Sequence, residues 1–263
     1  MGNDDLNKTL VNGFKILECF NEQNTALTYQ EISKMVNLSS SSVWRLLQTL
    51  EHLGYVEKIA NENKYKLSFK SLNFAKVILN SNEIRITSFQ YLKELSEKIN
   101  VNTNLAVLMN EKAFLISRVN SFADPFFHVG TYLPLYCSSL GKLFLAFQSE
   151  ERREELIKKL ELKKLTPNTI TDKEELKEDL ELIRFRGFSI DNEEYVNNTK
   201  CLSVPIRDSS GEVVAGVGIS TRNLPNKIFD IAKYCDDVFQ ASEKISRKLG
   251  FSIYNPLFDN TYS

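Results

Sequence analysis

Across residues 27–56, LTYQEISKMVNLSSSSVWRLLQTLEHLGYV, apolar positions recur with the period of an α-helix, twice over. Ile32 and Val36 mark one face of a first helix, and Thr28 with Glu31 has the spacing of a capping box. Asn37-Leu38-Ser39 interrupts the pattern. A longer helix starts near Ser40 or Ser41, with Val43, Leu46, Leu47, Leu50 and Leu53 forming one stripe. Gly54 supplies a left-handed stop. Strand-like alternation follows in Tyr55-Val56-Glu57-Lys58 and Lys64-Tyr65-Lys66-Leu67, around the polar turn Ala60-Asn61-Glu62-Asn63. Upstream, Leu10, Phe14, Leu17 and Phe20 predict a helix that packs across the other two and closes a three-helix core. Together these elements predict a winged helix-turn-helix.

The face opposite the stripe carries Ser41, Arg45, Gln48 and His52, with Trp44 and Thr49 on its flanks. A helix that reads the major groove needs hydroxyls and cations near its N-terminus, and side chains such as Arg or Gln that can reach base edges. Arg45 and Gln48 are the candidates for base contact. Ser40, Ser41, Ser42 and the wing residues Lys64 and Lys66 are the candidates for phosphate, with Thr28, Trp44 and Thr49 beside them. Lys58, Lys64, Lys66 and Lys70 against Glu62 make the wing locally basic. The plainer alternative is a solvated helical hairpin whose winged helix meets protein rather than DNA.

Past the wing, residues 68–81 and 84–99 have helical spacing on either side of the polar joint Asn80-Ser81-Asn82. No Pro or Gly lies between Ser71 and Asn100, so helix and not a floppy tether joins the two halves. Then the period changes. Residues 105–109 and 113–118 read as a hairpin around Asn110-Glu111-Lys112, and residues 126–132 as a third strand. Helices are expected at 138–147, at 150–160, and from a Thr171 or Asp172 cap to Arg186, which Gly187 ends. Strands follow at 188–191, 202–207 and 213–220, the last two joined by Asp208-Ser209-Ser210-Gly211, and a closing helix at 227–248. Strands mixed with helices and joined by hairpin turns indicate an α+β domain with a mainly antiparallel sheet.

The length of 263 residues fits two domains, and the composition, 42% apolar and 25% charged, is that of an ordinary globular protein. A net charge of −1 gives no global basic field, so any nucleic-acid contact must be basic only locally. No signal peptide and no apolar run near the length of a membrane span is visible, and Cys19, Cys137, Cys201 and Cys235 are scattered without a C-x-x-C pair. These features fit a reducing cytoplasm and no membrane. Catalysis is not expected: the histidines are His52 and His128, and no motif pairs His128 with Cys137 or Cys201. A metal held by His128, Cys137, Asp191 and Cys201 lacks ligand spacing, and no cofactor is implied. Gly216 and Gly218 alternate within a strand pattern, which reads as close approach of a ligand or another backbone and not as a nucleotide fingerprint.

Taken in order, these residues resemble the IclR-type bacterial transcriptional regulators. The resemblance runs from about Leu10 to Gly250. In the first part it is carried by Phe14-Lys15-Ile16-Leu17, by the serine-rich entry to Val43-Trp44-Arg45-Leu46-Leu47-Gln48-Thr49-Leu50, and by Leu53-Gly54-Tyr55-Val56. In the second it is carried by Leu133-Pro134-Leu135, Ser138-Ser139-Leu140-Gly141-Lys142, Leu145-Ala146, Arg186-Gly187-Phe188, Asp191-Asn192-Glu193-Glu194, and Val204-Pro205-Ile206-Arg207-Asp208 through Gly211 to Ala215.

The resemblance implies a winged helix-turn-helix over 1–68, a helical linker over 69–82, and a GAF-like effector-binding and oligomerisation domain over 83–263. It also implies a homodimer or dimer of dimers on a pseudo-palindromic double-stranded DNA operator. It points to Leu133, Ser139, Leu140, Asp191, Cys201, Gly218 and Ser220 as the effector pocket, for a small organic acid or related metabolite. The chain departs from the family at Asn197-Asn198-Thr199-Lys200, where relatives carry Gly, and at Ser139 and Leu140, where several carry Gly or Ala; a bulkier Leu140 is expected to reshape the pocket. Read without the resemblance, Asp191 caps a strand-end turn, Cys201 packs in the core and Ser220 satisfies a backbone group.

Overall fold

The computed structural model describes residues 6–120, 127–222 and 230–252. The chain divides into two compact units, Met1–Ser81 and Asn82–Ser263. The first residue of the third strand expected over 126–132, and the start expected for the closing helix at 227, lie outside the described residues. Among the described residues of that stretch only Tyr132–Leu133 forms a strand, and the closing helix begins at Cys235. Among the described residues no helix is long and apolar enough to cross a membrane.

In the first unit, helix α1 (Lys8–Glu18) precedes the two-residue strand β1 (Leu27–Thr28) and helices α2 (Tyr29–Val36) and α3 (Ser40–His52). The capping box is present. Thr28 Oγ1 accepts from the Glu31 amide at 3.2 Å, and the Thr28 amide donates to Glu31 Oε2 at 2.8 Å. Ser39, one residue ahead of the expected start, caps α3 through the Ser42 amide. Gly54 follows the helix at φ +78°. The wing is β2 (Val56–Lys58) against β3 (Lys64–Leu67), with β1 on the other side of β3. Ile16, Phe20, Ile32, Val43, Leu47, Val56 and Tyr65 form the core.

Two expectations fail here for one reason. Leu10 and Phe14 do not close the core; they are 61% and 58% exposed, and α1 buries Ile16 and Cys19 instead. Leu53, expected in the buried stripe, is also exposed. These residues line an apolar groove of about 430 Å³ with Leu17, Leu46, Leu50 and Phe74. The residues of α1 that repeat at i and i+4 are a second stripe, rotated off the core. Helix α4 (Leu72–Ser81) continues this surface, with Leu72, Phe74, Val77 and Ile78 exposed and nothing buried.

The second unit starts with α5 (Glu83–Ile99), which Asn82 caps through the Arg85 amide. Its centre is a six-stranded sheet in the order β6-β5-β4-β9-β8-β7, each neighbouring pair antiparallel. The strands are β4 (Asn102–Met109), β5 (Lys112–Val119), β6 (Tyr132–Leu133), β7 (Ser189–Asn192), β8 (Thr199–Arg207) and β9 (Val213–Arg222). Asn110 and Glu111 turn the first hairpin at positive φ. The α+β class read from the sequence is the one found.

Helices cover both faces of this sheet. Leu202, Val204, Ile206, Val217 and Ile219 pack on α5 and on α9 (Cys235–Lys248). The other face meets α6 (Ser139–Ala146), on which α7 (Glu150–Lys159) and α8 (Lys173–Arg186) pack. Every residue of α6 is buried. It can lie so close to β9 because Gly216 has no side chain: a Cβ there would stand 2.8 Å from Leu140 and 2.9 Å from Leu143. Gly218 is equally confined, but by Ser203 of the neighbouring strand.

Candidate functional site

The first candidate surface is the exposed side of α3. Ser40, Ser41, Ser42, Trp44, Arg45 and Gln48 are all exposed there. The serine hydroxyls form a chain, with Ser39 Oγ 2.8 Å from Ser42 Oγ and 3.2 Å from Ser41 Oγ. Gln48 is already engaged: its amide donates to Glu51 at 3.2 Å and to the Tyr65 hydroxyl at 3.4 Å. Thr49 donates to the Arg45 carbonyl and borders the apolar groove, so it stands apart from the serines. Thr28 is spent on its capping box. On the wing, Lys66 pairs with Glu57 at 3.4 Å and Lys64 stands opposite Thr28 on β3. Lys70, counted with the wing in the sequence, is drawn away: its Nζ donates to the Leu53 carbonyl at 2.7 Å and lies 5.0 Å from the Tyr55 ring centroid.

The second candidate is a cavity between the N-terminus of α6 and strands β4, β7, β8 and β9. Six of the seven expected residues line it: Leu133, Ser139, Asp191, Cys201, Gly218 and Ser220. Leu140 does not. One position along α6 its side chain turns to Gly216 and the core, so its bulk fills the helix–sheet contact and leaves the cavity shape alone. Asn104, Leu115, Phe127, Tyr195 and Ser203 line it too, none of which the sequence singled out. Asn104 donates to Ser220 Oγ at 3.3 Å and accepts from Arg118 at 2.8 Å, while Ser139 and Ser203 share a hydrogen bond of 2.7 Å. The polar residue at the head of an otherwise apolar strand was the available signal for Asn104, and its i, i+2 relation to Cys201 was the signal for Ser203.

The space enclosed is small, about 20 Å³, room for about one water molecule. Ser138 caps α6 by accepting from Gly141 at 3.0 Å, and the first intrahelical bond is Lys142 to Ser138. The Ser139 and Leu140 amides therefore precede the helical ladder, with no intrahelical acceptor.

Asp191 does double duty. Its Oδ1 accepts from the Glu194 amide at 2.7 Å and the Tyr195 amide at 3.4 Å, so it caps the turn after β7 as well as lining the cavity. That turn runs at positive φ through Glu193 and Asn198, and Asn198 takes the left-handed conformation that asparagine, after glycine, adopts most readily. Behind the cavity, Lys142 Nζ lies 2.7 Å from both Asp179 Oδ2 and Glu194 Oε1. Burial opposes the lysine charge, but Glu194 and Asp179 outweigh it and hold the Lys142 pKa above its ordinary value. Burial, and then the Glu194 charge, push Asp191 up to about 7. Burial likewise raises Glu194, whose Oε2 is enclosed without a hydrogen-bond partner among the described residues. Burial and then Asp191 raise the Cys137 thiol to about 12, so it stays protonated and packs as a small apolar group. Among the described residues no group of three or more His, Cys, Asp and Glu is placed to hold a metal.

The raised Asp191 pKa fixes a pH dependence. The folded state holds a proton that the unfolded chain, titrating near 4, has released. The stability this contributes is full below about pH 4 and is lost as pH rises through about 7. Asp191→Asn keeps both backbone hydrogen bonds and removes the charge. It is expected to stabilise the fold more at pH 8 than at pH 5, by at most about 3 kcal/mol. Equal effects at both pH values, followed by circular dichroism melts, would show that Asp191 is ionised in the folded protein throughout.

Comparison with known proteins matches both units. The model of the IclR helix-turn-helix domain matches residues 9–60, and that of the bacterial transcriptional regulator IclR C-terminal domain matches residues 76–247. The HTH-type transcriptional regulator KdgR of Escherichia coli is 30% identical over 263 residues, covering 97% of this chain and 99% of that one. KdgR of Dickeya chrysanthemi is 31% identical over 244 residues, covering 92% and 79%. Among solved structures, Thermotoga maritima IclR superposes with a TM-score of 0.71 at 32% identity, covering 92% of this chain and 99% of that one. An IclR homolog from Microbacterium hydrocarbonoxydans, solved in complex with 4-hydroxybenzoate, gives a TM-score of 0.76 at 24% identity, covering 92% and 99%.

Proposed function

This chain belongs to the IclR family of bacterial transcriptional regulators, and from that premise we propose that a small carboxylate bound in the second unit tunes how tightly the first unit holds its operator. The regulator reads DNA through α3. Arg45 contacts a base edge, Gln48 joins it after giving up Glu51 and Tyr65, and Ser40, Ser41, Ser42, Lys64 and Lys66 hold phosphate, with Trp44 packed beside the backbone. One winged helix contacts few base pairs, so two copies sit on a pseudo-palindrome. The exposed apolar groove of α1 and the bare face of α4 support an assembly of at least two chains, since such a patch on a monomer would face water.

The observation that carries the effector reading is the convergence of Ser139, Asp191, Ser203 and Ser220 on one cavity, ahead of the two unbonded amides of α6. A carboxylate at those amides is favoured by the helix dipole. Asp191 meets it as a neutral acid and donates rather than repels, which its raised pKa permits near neutrality. With room for about one water, the cavity must widen to admit even a two- or three-carbon acid. Leu133 and Phe127 are the side chains whose displacement opens it. A larger aromatic acid, as in the Microbacterium relative, demands a greater rearrangement. Affinity for DNA changes only because the acid prefers one arrangement of the two units over another.

The test is a thermal-shift panel of two- to four-carbon carboxylates on the wild type and on Asp191→Ala, followed by DNA affinity with each stabilising acid. One acid is expected to stabilise the wild type alone and to change its affinity for a selected DNA site by about 5–150-fold. An acid that stabilises both proteins equally would move the site away from Asp191.

A further inference from the structure

At the far end of α6 from the cavity lies a cleft of about 600 Å³, within the range of roughly 300–1,000 Å³ typical of small-molecule sites. The two spaces are separate. Ser139 at the start of α6 lines the cavity, and Phe147, which caps its end, lines the cleft. Eight residues of helix put them about 12 Å apart. Strand β8 repeats the relation, with Ser203 in the cavity and Arg207 in the cleft, about 13 Å along the strand.

Two guanidinium groups meet the cleft around Phe147. Arg207 is half-buried, its charge centre 5.1 Å from the Phe147 ring centroid, and its Nη1 donates to the Gly211 carbonyl at 2.7 Å. Arg184 Nη1 donates to the carbonyls of Ala146 at 3.0 Å and Gln148 at 3.4 Å, at the C-terminal end of α6. Both are held by neutral backbone oxygens, and neither makes an ion pair among the described residues. Burial disfavours the charged form of Arg207, and the partial offset comes from Glu212. A cation taken partly out of water with only neutral hydrogen-bond partners gains from an anion that can accept its remaining N–H groups.

The rest of the lining sets the shape of that anion. Phe147, Phe239 and Phe251 line it with aromatic side chains against which a flat apolar body can pack. Asp236 and Glu243 also border the cleft, and Arg247 holds Glu243 at 2.7 Å. The lining charges balance, Arg184 and Arg207 against Asp236 and Glu243, so the preference for an anion rests on the two guanidinium groups around Phe147, which suits a single carboxylate and disfavours a polyphosphate. We propose that this cleft is a second ligand site, which takes a planar aromatic monocarboxylate with its carboxylate on Arg207 and Arg184 and its ring against Phe147 and Phe239. The site does not depend on what, if anything, the cavity at the other end of α6 binds.

The probe is 2-naphthoate, titrated into the full-length protein by calorimetry, with 2-naphthalenemethanol as the same ring without the charge. Saturable binding of the acid is expected. Arg207→Gln weakens it about 10–100-fold and Arg184→Gln more modestly, because hydrogen bonds to charged groups are lost. Asp191→Asn, in the cavity, leaves it unchanged. The alcohol binds at least about tenfold more weakly than the acid. Arg184 is exposed, so its substitution and the acid–alcohol comparison stand even if Arg207→Gln does not fold. The proposal is overturned if no saturation is seen at roughly 10 mM acid, if acid and alcohol bind alike, if the arginine variants bind as the wild type does, or if Asp191→Asn abolishes binding.

Discussion

Lys142→Met is expected to destabilise the second unit by about 3–5 kcal/mol, the cost of breaking a buried ion pair from one side. The lysine side chain is 2% exposed, and both carboxylates stand at 2.7 Å from it. Methionine fills most of the volume of the lysine stem, so the loss is electrostatic and leaves no large cavity. Without the ammonium group, Glu194 and Asp191 face each other with no lysine between them, while Asp179 keeps only Arg186, at 3.9 Å. Glu194 and Asp191 relieve the repulsion by taking up protons. The destabilisation should therefore shrink towards pH 5, where protonation is cheap, and adding Glu194→Gln should recover part of it. Urea unfolding at pH 5 and pH 8 reads both effects. A loss below about 1 kcal/mol at pH 8 would mean that the triad is solvated rather than buried.

The same triad marks where the sequence stops being legible. Local patterns settled α2, α3, the wing and the Thr28–Glu31 box, because each depends on residues within a few positions of one another. Helix α6 was also visible from its periodicity. That Lys142 is buried was not, since its partners arrive 37 and 52 residues later in the chain. Gly141 is similar. A Cβ there would stand 2.0 Å from the Pro134 carbonyl and 2.7 Å from Leu135 Cα, a crowding that only the folded turn creates. The motif Ser138-Ser139-Leu140-Gly141-Lys142 is thus a cap, a cavity wall, a core residue, a close approach and a buried cation in succession. The resemblance located the motif but assigned Leu140 to the wrong one of these tasks.

Helical spacing misled at α1 because Leu10, Phe14 and Leu17 form a true stripe of which the unit's own core uses only Leu17. A period reveals a face, not what covers it. For the cavity, the resemblance supplied Cys201, Gly218 and Ser220, and the observed alternation of β8 and β9 puts them on the sheet face away from α5 and α9. Phe127 comes from the segment before β6, and no local pattern pointed to it.

The second large effect lies at the DNA surface, and it bears most directly on the claim that α3 reads sequence. Arg45 is exposed and makes no side-chain hydrogen bond or ion pair among the described residues, so its guanidinium is available to a base edge without breaking a contact. A bidentate contact of that kind is worth about 1–3 kcal/mol of discrimination. Lys64 offers only charge to the phosphate chain and carries no sequence information. The deciding measurement is fluorescence anisotropy over a range of salt, on a DNA site selected from a random pool and on a scrambled duplex, for the wild type, Arg45→Ala and Lys64→Ala. Arg45→Ala is expected to lose about 1–3 kcal/mol on the selected site and little on the scrambled one, while Lys64→Ala loses the same on both and lowers the salt slope by about 1. Equal losses on both duplexes for Arg45→Ala, or wild-type binding that salt does not weaken, would contradict base reading by α3.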